Sequence, residues 1–558
     1  RKIVGQLFLK IHVDRFVPLQ WNRSQVFSLA KKNPALVDHL YDAQRTIHSL
    51  DPIGKSYFKH LLDKCNTSDP KYYEYGYVKG RRRETAIKQQ LVMQYRADVN
   101  KMSYIDTSHD MTNAFASMTF EALDDHIEEV AEKEEVTLLK QRYRNAVMHV
   151  DCGEEEGMDF KIGSGALPGD KIAADLFRQV FQKKTDVWQK HEQQKCLTTV
   201  CPVRCIEINV AVSMYADDIF NKQAVPGLEC KQVCDVIKNS NEKLDACVNQ
   251  IGVHQNVGKQ EITCRFHKRG ARKLERQFKL DMKGRGKVLD HLKYLGIWYS
   301  ANGSYKKEIS NRTAKAWKNW MSFKALLTNK SVPWNVKKIC FVANVVNALL
   351  AALEAFVLCP SDLDKLTSFI CKRCRALLRG KAHTKTEDGK HSSYSNLKVL
   401  KECKTLPVHL ELAVRRVKWL KEIVIRPVGA GAMIAAWFGE FEFDHSISND
   451  NPWSKQLVED IRLLNCVEGW KDIMCTVENS PIEVFKNVEI VKQIGELDVK
   501  HFRAALLHSF DKVFVGVGEK EDKPAGQFPC EILDEEGVMC DYVAKSLKDF
   551  KHHQVLSG

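Results

Sequence analysis

Two adjacent acids, Asp217 and Asp218, stand between β-prone runs: residues 206–214 on one side and Ile219-Phe220 on the other. This pattern places Tyr215-Ala216-Asp217-Asp218 at the tip of a β-hairpin. A tight turn can aim one carboxylate out of the sheet toward an open cleft. Such a pair is costly unless cations neutralise it, and carboxylate oxygens suit hard divalent ions. Taken alone, the tetrapeptide fits an ordinary surface turn equally well. A further acid lies upstream in Asp110-Met111-Thr112-Asn113-Ala114-Phe115-Ala116-Ser117, preceded by a polar stretch, Asp106-Thr107-Ser108-His109, that offers Asp106 as a rival. Between these acids sits a Gly-rich segment, Gly163-Ser164-Gly165-Ala166-Leu167-Pro168-Gly169-Asp170. Gly252, Asn256 and Lys259 follow the hairpin, and then Lys293-Tyr294-Leu295-Gly296-Ile297. Ahead of them all is Tyr75-Gly76-Tyr77-Val78-Lys79-Gly80-Arg81.

In this order the motifs resemble those of reverse transcriptases. The resemblance implies that Asp110, Asp217 and Asp218 are catalytic and hold two Mg²⁺ (or Mn²⁺) ions about 3.5–4 Å apart. It implies substrate contacts at Met111, Phe115, Gly169, Tyr215 and Lys259. Phe115 would be the aromatic gate that crowds a 2′-hydroxyl, and Lys259 would lie near the triphosphate. The Gly-rich segment would let backbone approach the substrate, with Pro168 where the family usually has Gln. Residues 293–297 resemble a primer-grip strand. Lys79 and Arg81 would face template or incoming nucleotide, although charge runs are usually solvated faces.

Later residues resemble the non-LTR (LINE-like) retrotransposon enzymes in particular. Arg312, Ala316 and Trp317 open a helical stretch like their thumb, and Arg415-Arg416-Val417-Lys418-Trp419-Leu420 matches a recurrent segment near its end. The expected partners are an RNA template, a DNA primer and deoxynucleoside triphosphates. The expected fold is α+β, a right-hand polymerase with an antiparallel palm sheet. Its regions would be fingers at 1–100, palm at 101–300, helical thumb at 301–426 and a helical connection at 427–520. A catalytically inactive remnant that only binds nucleic acid, or a maturase-like RNA-processing factor, would share the same motifs.

Charge agrees with a polyanionic partner. The 558-residue chain carries a net +14, yet residues 301–426 hold 25 Lys/Arg against 9 Asp/Glu, so the rest is near neutral. A local basic block on a folded segment favours phosphate through counterion release. Hydrophobic residues at 44% and charged residues at 28% describe a globular chain, not a disordered one. The apolar run over residues 341–359 contains Asn344, Asn347 and Glu354, which makes it a buried helix rather than a membrane span. Eighteen cysteines without a secretory leader point to a reducing, intracellular setting, with the nucleus open to a retroelement enzyme. The opening Arg1 suggests a piece of a longer product. Residues 183–205 read as a polar, Cys-rich insertion loop.

A tail at 525–558 resembles a two-Cys two-His zinc finger, with Cys530, Cys540, His552 and His553 as candidate Zn²⁺ ligands, although nine residues separate the two cysteines. Cys371-x-x-Cys374 lies in an amphipathic helix and reads as structural thiols.

Overall fold

The computed structural model describes residues 2–30, 44–152, 155–167, 169–282, 286–385, 391–444 and 450–513, with 528–529 and 543–544. The chain is a mixed α+β protein, as expected. It divides into two compact units: residues 1–366 with 415–497, and residues 367–414 with 498–558.

The larger unit holds both main sheets of the described residues. One combines β1 (Arg23–Ala30), β2 (Gln44–Leu50), β5 (Val147–Cys152) and β6 (Glu155–Lys161) in the order β2-β1-β5-β6. The other takes β3 (Tyr104–His109), β9 (Val212–Tyr215), β10 (Asp218–Ala224), β12 (Glu261–Arg265) and β13 (Lys287–Val288) in the order β13-β12-β3-β10-β9. Its pairs are antiparallel except β12 with β13. Two-stranded pairs join β4 (Met111–Thr112) to β11 (His254–Gln255), β7 (Thr198–Val200) to β8 (Glu207–Asn209), and β14 (Leu292–Tyr294) to β15 (Ile297–Tyr299).

One face of the five-stranded sheet packs Ile105 and Ile262 against Val233 and Ile237 of helix Cys230–Val248 and Phe278 of helix Ala271–Asp281. Each fully buried side chain of this size stabilises the fold by about 1.5–3 kcal/mol. Helix Arg83–Val99 is buried almost all round yet carries no apolar stripe. Its glutamines explain this, because they satisfy backbone and hydroxyl groups of neighbouring segments. Gln89 donates to the Val210 and Val212 carbonyls, Gln90 to Ser213 Oγ, and Gln94 to the Ser300 carbonyl. Buried amides so paired hold the helix in one register.

Two sequence expectations are corrected or refined here. Residues 183–191 are not a loop but the last part of helix Lys171–His191, with Thr185, Trp188 and Gln189 buried on one side. Polar residues hid this helix because several of them point inward. Residues 341–350 are a partly buried helix as expected, continuing helix Trp334–Phe341 through a π-helical turn at Val342–Val346, and the helix ends before Ala352, which adopts φ +61°. No described helix is long and apolar enough to cross a membrane.

In the smaller unit Cys371, Cys374 and Cys403 are buried together, and the Cys403 thiol lies 3.8 Å from the Cys374 carbonyl. This fits structural thiols.

Candidate active site

The β9–β10 hairpin turns through two residues, Ala216 and Asp217, with Tyr215 paired to Asp218. Ala216 takes φ +60°, a conformation that costs a residue with Cβ about 1–3 kcal/mol. The turn is braced from behind. Tyr75 N–H donates to the Met214 carbonyl and Met214 N–H to the Tyr73 carbonyl. Gly76 lies so close that any Cβ there would collide with the Ala216 backbone nitrogen. Only glycine permits that approach.

The register of the sheet then brings the acids together. Ile219 pairs with His109 across β10 and β3. One step further along, Asp218 and Asp110 leave the same end of the sheet. Asp110 is fixed beyond β3 by its carbonyl, which accepts from Asn256 N–H at 2.8 Å. Burial raises the Asp217 carboxyl above its usual range, and the charge of Asp110 raises it further. Asp218 is reached by solvent, but protein crowds its surroundings. Burial first, then Asp217 and Asp110, pushes its carboxyl up to about 6.

Three mutually repelling carboxylates at one point create a demand for positive charge. Lys259 supplies some of it, with Nζ 3.1 Å from Asp110 Oδ2. The sequence placed Lys259 near the site, and the structure brings it there. The carboxylate oxygens of the three acids do not all come within 4.8 Å of one another, so as they stand the three are not closed around a single point. The donors are all carboxylate oxygens, a set that fits Mg²⁺ or Mn²⁺ rather than a soft metal.

The rival acid is settled by its surroundings. Asp106 is fully buried in β3, paired with Lys222 Nζ at 2.5 Å and accepting from the Tyr299 hydroxyl at 2.8 Å. Lys222 also sits over the Tyr104 ring. Asp106 is therefore a core ion pair and faces no cleft.

The other expected contacts divide. Phe115 is half-buried, stacked on Phe177 at 4.3 Å between ring centroids, with the Tyr77 ring nearly perpendicular to it at 5.6 Å. Tyr77 was read only as part of a basic segment, yet its hydroxyl is raised by burial and by Asp217, Tyr215 and Asp218. It therefore belongs to the acidic end of the sheet. Tyr215 is half-exposed beside the turn. Met111 is buried in β4, opposite Gln255.

The Gly-rich segment packs against the chain itself. Gly165 N–H donates to the Met118 carbonyl at 2.7 Å, and Ser164 Oγ to the Ala116 carbonyl at 2.7 Å. These bonds tie the loop to the residues that carry Phe115. Gly169 adopts φ +85° with the His48 carbonyl 3.0 Å from where a Cβ would stand. Pro168 lies outside the described residues, as do Cys530, Cys540, His552 and His553.

The arginines of three of the quoted segments are internal fasteners. Arg81 is buried and donates to the Lys71, Glu74 and Pro70 carbonyls, whereas Lys79 is exposed. Arg312 is buried against Glu308 and donates to the Gly296 carbonyl, which fastens helix Lys306–Thr328 to the β14–β15 turn. Arg416 makes a two-pronged pair with Asp460 at 2.6 and 2.8 Å, and Trp419 Nε1 donates to Thr85 Oγ1. Arg81 and Arg312 find their acceptors within 16 positions, whereas Arg416 reaches an acid 44 positions away.

A different cluster is open to an anion. Lys293 and Lys307 flank the Trp298 ring, with Nζ at 5.2 and 3.6 Å from its centroid. The Lys315 ammonium is held below its usual range by burial and by the nearby charges of Arg312, Lys293 and Arg83. The cluster joins the sheet through Tyr294, whose hydroxyl bonds Ser213 Oγ at 2.6 Å and whose ring packs on Phe220. Crowded cations around an indole suit a phosphate backbone.

No protein-family model matches the chain, and no curated protein matches it. Among solved structures it is similar to apo telomerase from Candida tropicalis, at 10% identity and TM-score 0.38, over 85% of this chain and 73% of that one. It is also similar to the Candida tropicalis telomerase in complex with the TWJ fragment of telomeric RNA, at 9% and 0.35, over 86% and 67%. The corresponding Candida albicans complex stands at 8% and 0.36, over 85% and 68%.

Proposed function

We propose that the chain is an RNA-directed DNA polymerase, a reverse transcriptase of the non-LTR retroelement kind. The observation that carries this reading is the convergence of Asp110, Asp217 and Asp218 at one end of the five-stranded sheet, with Lys259 against Asp110. The motif order supports it independently. In this reading the sheet belongs to the palm, residues 1–100 to the fingers and residues 301–426 to the thumb.

The three carboxylates would hold Mg²⁺ or Mn²⁺. When bound, such a pair supplies activation of the primer 3′-hydroxyl and neutralises charge at the α-phosphate and pyrophosphate. The chain's own residues do the rest. Lys259 exchanges Asp110 for the triphosphate. Phe115, in contact with Tyr77 and Phe177, presents a rigid wall to the sugar, and the Trp298 cluster grips phosphates of the template–primer duplex. A retroelement enzyme of this kind would work inside the cell, the nucleus included. The tail cysteines and histidines would hold Zn²⁺ as a separate nucleic-acid contact.

Primer extension tests the reading. The purified chain with a DNA-primed RNA template, Mg²⁺ and deoxynucleotides should extend the primer, and Asp217→Asn should not, while binding the same duplex with unchanged affinity. Tight duplex binding without extension by the unaltered chain, in Mg²⁺ and in Mn²⁺, would leave a nucleic-acid-binding protein and defeat the enzymatic reading.

A further inference from the structure

Helix Cys230–Val248 begins with two cysteines one turn apart, Cys230 and Cys234, which therefore lie on one face. The neighbouring helix Ala271–Asp281 ends at Asp281, beside this face. The two helices are packed through Val233, Ile237, Phe278 and Met282, all buried, with Cys230 and Cys234 partly buried at the margin of that cluster. One ligand atom from each of Cys230, Cys234 and Asp281 falls within 4.8 Å of the others. The Cys230 thiol already contacts Asp281 Oδ2 at 3.1 Å. The other carboxylate oxygen accepts from Gln277 Nε2 at 2.7 Å, which fixes the carboxylate's direction.

We propose that Cys230, Cys234 and Asp281 form a zinc site that staples helix Ala271–Asp281 to helix Cys230–Val248, with water as the fourth ligand. Zinc is favoured because two soft thiolates and one carboxylate make a tetrahedral set once water is added. Edges of roughly 3.5–3.8 Å are required by a metal–sulfur distance of about 2.3 Å, so the present grouping needs only a small contraction. Asp281 is exposed, which leaves the fourth position open to solvent. Binding replaces the thiol protons, which pass to solvent as the ion enters. Gln277 would be its supporting hydrogen-bond donor. The stapled helices back the sheet that presents Asp110, but the site stands apart from the polymerase reading and does not depend on it.

The test uses the full chain and zinc chloride, with mapped alkylation of individual cysteines by mass spectrometry. One equivalent of zinc should protect Cys230 and Cys234 from alkylation and leave exposed Cys466 and Cys475 unprotected. Replacing zinc with cobalt should give the visible absorption of a tetrahedral thiolate complex. That absorption should survive in Cys530→Ser/Cys540→Ser, which removes the tail thiolates, and vanish when Cys234→Ser is added to that variant, with chelator-treated circular dichroism unchanged. Gln277→Ala should weaken zinc by about 10–100-fold. Equal alkylation of Cys230 and Cys234 with and without zinc would overturn the proposal. So would a disulfide between them in chain purified under reducing conditions, or a cobalt signal lost only with the tail variant.

Discussion

Asp106 and Asp110 stand four positions apart, one inside the central strand of the five-stranded sheet and the other just past that strand's end, and the fold gives them opposite circumstances. Asp106 lies inside β3 with Lys222 and the Tyr299 hydroxyl already against it. Asp110 lies just past the strand's end, among acids, with exposed Lys259 as its nearby cation. The first has its counter-charge built in, so it holds structure. The second shares a point with Asp217 and Asp218 that is short of positive charge, so it can take up an ion or an anionic substrate's own metal. The lesson is that an acid's role follows from which partner the fold has already provided.

The comparison breaks most sharply under substitution. Asp217→Asn should lower primer extension by at least ~10²–10³-fold, the scale of losing one preorganised charge-stabilising group, with no loss of thermal stability. A variant that retains full extension would remove Asp217 from the chemistry. Asp106→Ala should do the reverse. It strands Lys222 in the core and should cost about 3–5 kcal/mol in denaturant unfolding. Wild-type stability in that variant would mean Asp106 is no core fastener.

Lys259→Ala sharpens the contrast from the cation's side. Loss of one charge-assisted contact worth about 1.5–3 kcal/mol should lower nucleotide kcat/KM by roughly 10–100-fold. If Lys259 served Asp110 only structurally, melting temperature would fall while the nucleotide KM stayed put. Phe115→Val should narrow the preference for deoxynucleotides over ribonucleotides by about 10-fold or more, read from competing single incorporations. An unchanged preference would take the gate away from Phe115.

The smallest effect is a pH signature. Asp218 is raised from 3.8 to about 6, so its ionised form is disfavoured in the folded chain. Without divalent ions, stability should fall as pH rises through that interval, because the unfolded chain releases its proton first. Asp218→Asn should flatten the fall, and Mg²⁺ should oppose it in the unaltered chain by binding the folded state. Identical pH profiles for the two proteins would show that Asp218 is not crowded as described.

How much of this was legible in the residues themselves follows the same rule of partners. The hairpin at Asp217 was readable because its signal is local: β-prone runs on both sides of a two-residue turn. Asp110, Phe115 and Lys259 were readable through motif order. The fate of Asp106 was not, since Lys222 is 116 positions away. Arg81 reads as a template or nucleotide contact because the backbone carbonyls that accept from it leave no mark in the residue types. Tyr77 was missed because its neighbours Phe115 and Asp217 arrive from other elements. Cys230 and Cys234 show a one-turn spacing, but Asp281 lies 51 positions beyond. Residues 183–191 looked like a loop because their inward face carries threonine and glutamine as well as tryptophan.

The most direct measurement offers Fe²⁺ in place of Mg²⁺ to the proposed metal site and maps where bound iron cuts the backbone. An ion caged at the open end of the sheet should cut near residue 110 and near residues 215–218, in segments 107 positions apart in the chain. Mg²⁺ should suppress both sets of cuts, and Asp217→Asn should abolish them together. Cuts near only one of the two segments, or cuts that persist unchanged in that variant, would contradict a shared metal site.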